Sequence, residues 1–101
     1  MKTKYYEFLK TIANNSYNNN ADINLLSDSF DDFKDILDEE YNADDSTNEN
    51  DDVIEHFNKF NSDIDMMLNS IEDNYLSIDE FNKNLNNILD SELKHFSKWL
   101  L

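Results

Sequence analysis

A chain of 101 residues with 23 acids, 8 lysines, no arginine and a formal charge of −15 has room for one domain and one hydrophobic core. Its charge opposes direct binding to nucleic acid or to anionic membranes and favours a basic partner. It contains no Cys, which excludes a thiolate nucleophile and a cysteine zinc site, and no Gly, which excludes glycine-rich phosphate loops.

Gly and Pro are both absent, which argues against a β-rich fold, since tight hairpins favour Asn-Gly or Asp-Gly turns. Asn is abundant and tolerates the left-handed region, so helix ends can still be closed. No apolar run approaches the roughly 18 residues a membrane span needs. Met1-Lys2-Thr3-Lys4 leads to Glu7 instead of an apolar stretch, so no secretory signal is expected and a cytoplasmic location is.

Four segments carry apolar residues at helical spacing. The first covers about residues 3–13, where Tyr5, Phe8, Leu9 and Ile12 share a face. Residues 14–20 form a polar loop without periodicity. The second runs from about Asp22 to Tyr41, with Ile23, Leu26, Phe30, Phe33 and Leu37 in steps of three or four. Ser27 or Ser29 could act as a new N-cap and divide it. A flexible acidic linker is expected near 42–52. The third segment runs from about Asp52 to Ser70 on Val53, Phe57, Phe60, Ile64 and Met67. The fourth runs from about Ile78 to Leu100 on Ile78, Phe81, Leu85, Ile88, Leu89, Phe96 and Trp99. Ser77 and Glu80 stand at capping-box spacing before it. Short links make neighbouring helices antiparallel, so an all-α fold is expected: a small antiparallel bundle of about four helices in a single domain over 1–101.

The charge is segregated. Residues 1–20 hold three lysines and one acid, residues 21–55 hold fourteen acids and Lys34 alone, and residues 56–101 hold eight acids and four lysines. An AT-rich coding sequence would explain the many Asn, Ile, Phe and Tyr residues, but it would favour Lys equally, and Lys is scarce. The acidity therefore points to selection for a negative surface. On a helical wheel Asp28, Asp31, Asp32, Asp35, Asp38 and Glu39 oppose the apolar face of the second segment. Like charges at i and i+4, such as Asp28–Asp32, Asp31–Asp35 and Asp35–Glu39, each destabilise a helix by roughly 0.2–0.5 kcal/mol. Repulsion is thus kept where mixed charge would fold better. These six residues, with Asp44, Asp45, Glu49, Asp51 and Asp52 of the linker, are the candidate partner-binding residues.

Other constellations carry less. Asn69 to Glu80 is similar to a degenerate EF-hand calcium loop, with Leu76, Ser77 and Glu80 at positions 8, 9 and 12. Ile71 at position 3 offers no oxygen, however, and Asn74 stands where Gly is expected. His56 and His95 lie on different segments, and each is expected to be a surface residue beside acids. No nucleophile elbow or oxyanion loop accompanies them, so no catalytic residue, cofactor or metal ligand is assigned and the chain is read as a non-enzyme. Tyr5, Tyr6, Tyr17, Tyr41 and Tyr75 are candidates for a binding rim or for the edge of the core.

In size, acidity, helical content and lack of catalytic motifs the chain resembles phage and mobile-element inhibitors, among them anti-restriction DNA mimics and anti-CRISPR proteins. The resemblance implies a stoichiometric inhibitor acting on a basic nucleic-acid-binding protein such as a CRISPR effector, a restriction enzyme or a nuclease. Phe60-Asn61-Ser62-Asp63-Ile64-Asp65 and Leu76-Ser77-Ile78-Asp79-Glu80-Phe81 are also similar in pattern to small helical immunity proteins that neutralise nuclease toxins, which gives the alternative reading. Both imply a one-to-one protein complex.

Overall fold

The computed structural model describes residues 2–43 and 49–98, with side chains over 3–39 and 52–98. Four helices follow in order: α1 (Lys2–Ala13), α2 (Asn20–Ala43), α3 (Glu49–Glu72) and α4 (Ile78–Ser97). No strand occurs among the described residues, and the fold is a small all-α bundle.

Local chemistry sets the helix ends. Asn19 caps α2: its Oδ1 accepts from the Asp22 amide at 2.9 Å, while Asp22 Oδ2 accepts from the Asn18 amide at 3.1 Å. This reciprocal pair satisfies two amides at the start of the helix, and α2 begins at Asn20, two residues before the expected start at Asp22. The helix then continues unbroken to Ala43. Ser29 does not divide it, because its hydroxyl donates back to the Leu25 carbonyl at 3.0 Å instead of capping a new turn.

Part of the linker expected over 42–52 is helical. Residues 42–43 belong to α2 and residues 49–52 to α3, and only 44–48 lie outside the described residues. Acidic residues suit the positive end of a helix dipole, which favours helix at Glu49, Asp51 and Asp52.

The α3–α4 corner shows how the chain turns without glycine. Asn74 adopts φ 65°, the amide of Tyr75 donates to the Ser70 carbonyl at 2.8 Å, and the amide of Asn74 donates to Ile71 at 3.1 Å. This is the Schellman pattern with Asn in the left-handed position. Ser77 then caps α4, its hydroxyl accepting from the Glu80 amide at 3.1 Å. Of the two bonds of a capping box, this is the one seen among the described residues.

Ring contacts give the topology. Tyr5 and Phe8 of α1 meet Phe33 and Phe30 of α2 at 5.6 and 5.1 Å. Phe30 and Phe33 meet Phe60 and Phe57 of α3 at 4.9 and 5.3 Å. Tyr5 meets Phe96 of α4 at 4.9 Å, and at the other end of α4 Asn82 Nδ2 donates to the Tyr17 carbonyl at 2.6 Å. In each pairing the order of contacts along one helix is reversed along the other, so the bundle runs up, down, up, down.

Among the described residues the core holds seventeen buried apolar side chains, with Tyr5, Leu9, Val53, Phe57, Phe81 and Phe96 among the most enclosed. Burial of each large side chain stabilises the fold by roughly 1.5–3 kcal/mol, and edge-to-face rings add about 0.5–1.5 kcal/mol per pair. Tyr17, placed on sequence in a polar loop, is 5% exposed and closes the end of the core between α1 and α4. Burial pushes its phenol up, an Asn15 hydrogen bond opposes this, and the charge of Asp22 adds to it.

Candidate functional site

The outer face of α2 presents the sequence-predicted acids together. Asp28, Asp31, Asp32, Asp35, Asp38 and Glu39 are all exposed, while Leu26, Phe30, Phe33 and Leu37 on the opposite side are buried. None of the six takes part in a salt bridge or a side-chain hydrogen bond among the described residues. The core holds the helix in place, so the charges stand on a rigid rod. From Asp28 to Glu39 the helix rises about 16 Å, which sets one carboxylate per roughly 3 Å of axis. A single nucleic-acid strand carries one phosphate per roughly 3.4 Å of axis.

Two apolar side chains border this stripe. Leu25 is 64% and Ile36 39% exposed. They are eleven residues apart, about three turns, and so share one edge of the face. Along another edge a cleft of about 370 Å³ between α2 and α3 is lined by Lys34, Asp38 and the exposed Glu55. An acid of α3 that the wheel of α2 could not include therefore borders this face, with Lys34 in the same cleft.

The remaining sequence candidates lie elsewhere. Asp44 and Asp45 fall outside the described residues. Glu49 and Asp51 belong to α3, and their side chains are outside the description. Asp52, grouped on sequence with the α2 acids, turns instead toward α4. Its Oδ1 lies 3.4 Å from Nε2 of His56, one turn along α3, and its Oδ2 lies 3.3 Å from Nε2 of His95.

That contact belongs to a cluster that sequence reasoning missed. The imidazoles of His56 and His95 stack, with centroids 4.4 Å apart and planes 20° apart. Both rings stand edge-to-face on Phe96. Glu92 grips His56 from the far side: Nδ1 lies 2.9 Å from Oε2 and 3.1 Å from Oε1. An ionised carboxylate only accepts, so Nδ1 carries the proton and donates. Both histidines do stand beside acids, as expected, but they are half-buried and belong to one network, where surface residues on different segments were expected.

Beneath this cluster the Tyr5 hydroxyl is fully buried and has no hydrogen-bond partner among the described residues. Burial, reinforced by the nearby charge of Glu92, holds its phenol well above the ordinary 10.0.

The calcium-loop pattern is placed mostly in regular structure. Residues 69–72 are the last turn of α3, and the Asn69 carbonyl accepts the Asp73 amide at 3.0 Å. Ser77, Ile78 and Glu80 build the start of α4. Helix capping accounts for these residues.

Among the described residues no helix is long and apolar enough to cross a membrane. Neither a protein-family model, nor a curated protein, nor a solved structure matches the chain.

Proposed function

We propose that the protein is a stoichiometric inhibitor whose acidic α2 face occupies the basic nucleic-acid-binding surface of a target enzyme, such as a CRISPR effector or a restriction enzyme. The observation that carries this reading is the row of six exposed carboxylates on one face of a core-anchored helix, none of them neutralised by a cation of the chain among the described residues. Their spacing is close to that of phosphates on one strand, and a rigid display lowers the ordering entropy of association. Leu25 and Ile36 at the border give the partner an apolar anchor, which phosphates alone would not offer. Electrostatic steering speeds association and makes it sensitive to salt.

The test is capture from a host lysate with the full chain and with a variant carrying Asp31→Lys, Asp32→Lys and Asp35→Lys. The wild type should retain nucleic-acid-binding enzymes at low salt and release them at high salt. The variant should retain none while keeping its helical circular dichroism. Equal retention of the same enzymes by both chains refutes the reading. Recovery of a nuclease toxin as the bound enzyme would assign the same face to an immunity protein.

A further inference from the structure

We propose that Nε2 of His56, Nε2 of His95 and the carboxylate of Asp52 form a three-ligand site for one divalent cation of the zinc class, with Glu92 holding His56 from behind. The site is separate from the α2 face and does not depend on how that face is used.

The geometry comes first. The ligand atoms all lie within 4.8 Å of one another. The two nitrogen–oxygen separations, 3.4 Å from His56 to Oδ1 and 3.3 Å from His95 to Oδ2, run to different oxygens of Asp52 but lie near the roughly 3.3 Å edge of a tetrahedron with bonds of about 2.0 Å, so a turn of the carboxylate would bring one oxygen toward both rings. The rings now stack with their planes 20° apart, so both must tilt before their in-plane lone pairs meet on one ion.

The donor set decides the class of ion. Calcium and magnesium take oxygen ligands, whereas two imidazole nitrogens with one carboxylate suit zinc and its transition-metal neighbours. Three protein ligands leave a fourth position for water or for a donor from a partner.

Glu92 supplies what a ligand histidine normally has behind it. Its carboxylate accepts Nδ1–H of His56 at 2.9 Å, which leaves Nε2, facing Asp52 Oδ1 at 3.4 Å, as the ligand atom once a metal displaces any proton there. His95 reaches the same state when its proton moves to Nδ1. A dication would also balance the two carboxylates that converge here, Asp52 and Glu92.

The surroundings fit as well. Asp52 and His56 stand one turn apart on α3, and Glu92 and His95 nearly one turn apart on α4, so a bound ion would staple the two helices. Phe96 supports both rings from the core side. The outer edge is open: the side chains of His56, His95 and Asp52 are 29, 34 and 33% exposed, which leaves an entry path. The Tyr5 hydroxyl, buried and without a partner, lies close enough to Glu92 to respond to its charge.

The experiment is a calorimetric titration of the untagged, chelator-stripped full chain with zinc in excess magnesium, which masks the many exposed acids. One equivalent should bind, and at a hundredfold excess over Kd the thermal midpoint should rise by on the order of 10 °C. His95→Gln and His56→Gln should abolish this binding, and Glu92→Gln should weaken it about 10- to 100-fold. The triple lysine variant of α2 should bind zinc as the wild type does. Zinc that fails to saturate one site, or that binds His95→Gln unchanged, overturns the proposal. If a histidine variant does not fold, imidazole nitrogen resonances of the wild type decide: zinc should shift Nε2 of both rings while Nδ1 of His56 stays protonated, and unshifted Nε2 signals refute the site.

Discussion

The outer face of α2 and the histidine-lined end of the α3–α4 pair are both rich in carboxylates, yet they are in opposite physical states. On α2 six acids face solvent without an ion pair among the described residues, and Lys34 is the one cation in their stretch. At the α3–α4 end Asp52 and Glu92 are held against two imidazoles on an aromatic floor. The first arrangement keeps unrelieved repulsion that a partner could relieve. The second is engaged with imidazoles inside the molecule and links two helices. A carboxylate's role here follows from what stands within a few ångströms of it, and the count of acids along the chain does not reveal this.

Substitutions can separate what holds these regions from what they display. The largest effect is expected on the buried side of α2. Phe33→Ala should destabilise the fold by about 3–5 kcal/mol in urea denaturation, since it empties a site shared by Tyr5, Phe8 and Phe57. A loss under 1 kcal/mol would mean that α2 is not anchored as described.

At the α3–α4 end, Glu92→Gln replaces a charge-assisted hydrogen bond with a weaker neutral one. A loss of about 1–2 kcal/mol is expected near neutral pH. The same change in an α2 acid should cost nothing, and equal effects would erase the contrast between the regions.

Tyr5→Phe removes a buried hydroxyl with no partner and should be neutral or stabilising by about 1 kcal/mol. It should also change the alkaline limb of stability. The Tyr5 pKa is raised in the native state, so the unfolded chain releases its proton first as pH rises past 10. Stability from this group is complete below that pH and falls above it. Tyr5→Phe should flatten that fall, measured by denaturation between neutral pH and the alkaline limb, and an unchanged slope would place the effect elsewhere.

The smallest effect is expected on the exposed stripe. Asp35→Asn removes like-charge pairs with Asp31 and Glu39 and should stabilise α2 by a few tenths of a kcal/mol. It should at the same time weaken capture of a basic partner at low salt. A loss of stability with unchanged capture would reverse the reading of that face.

The four helices were legible because each must turn one apolar stripe inward, and steps of three and four along the chain record that demand directly. That Asn would close helix ends was legible for a similar reason, since a glycine-free chain needs Asn where φ turns positive, and Asn74 is where this occurs. The α2 stripe could be read because a single helix fixes which of its residues share a face.

The histidine cluster could not be read in that way. His56 and His95 lie 39 positions apart, and only the antiparallel register of α3 and α4 stacks them. The signal was one acid and one histidine about a turn apart on each helix, beside the core residues Phe57 and Phe96. That signal is weak until the two helices are known to touch.

Tyr17 and Asp52 teach the same lesson at single positions. Tyr17 is called to the core by the docking of α4 against the loop that holds it. Asp52 is turned from the acidic surface by the imidazoles across from it. Sequence alone determined the helices, their buried faces and the placement of charge on α2, because those depend on periodicity within one segment. Tertiary structure decided which acids are engaged, which histidines meet and where Glu55 borders the α2 face, because those depend on contacts between segments that no local pattern specifies.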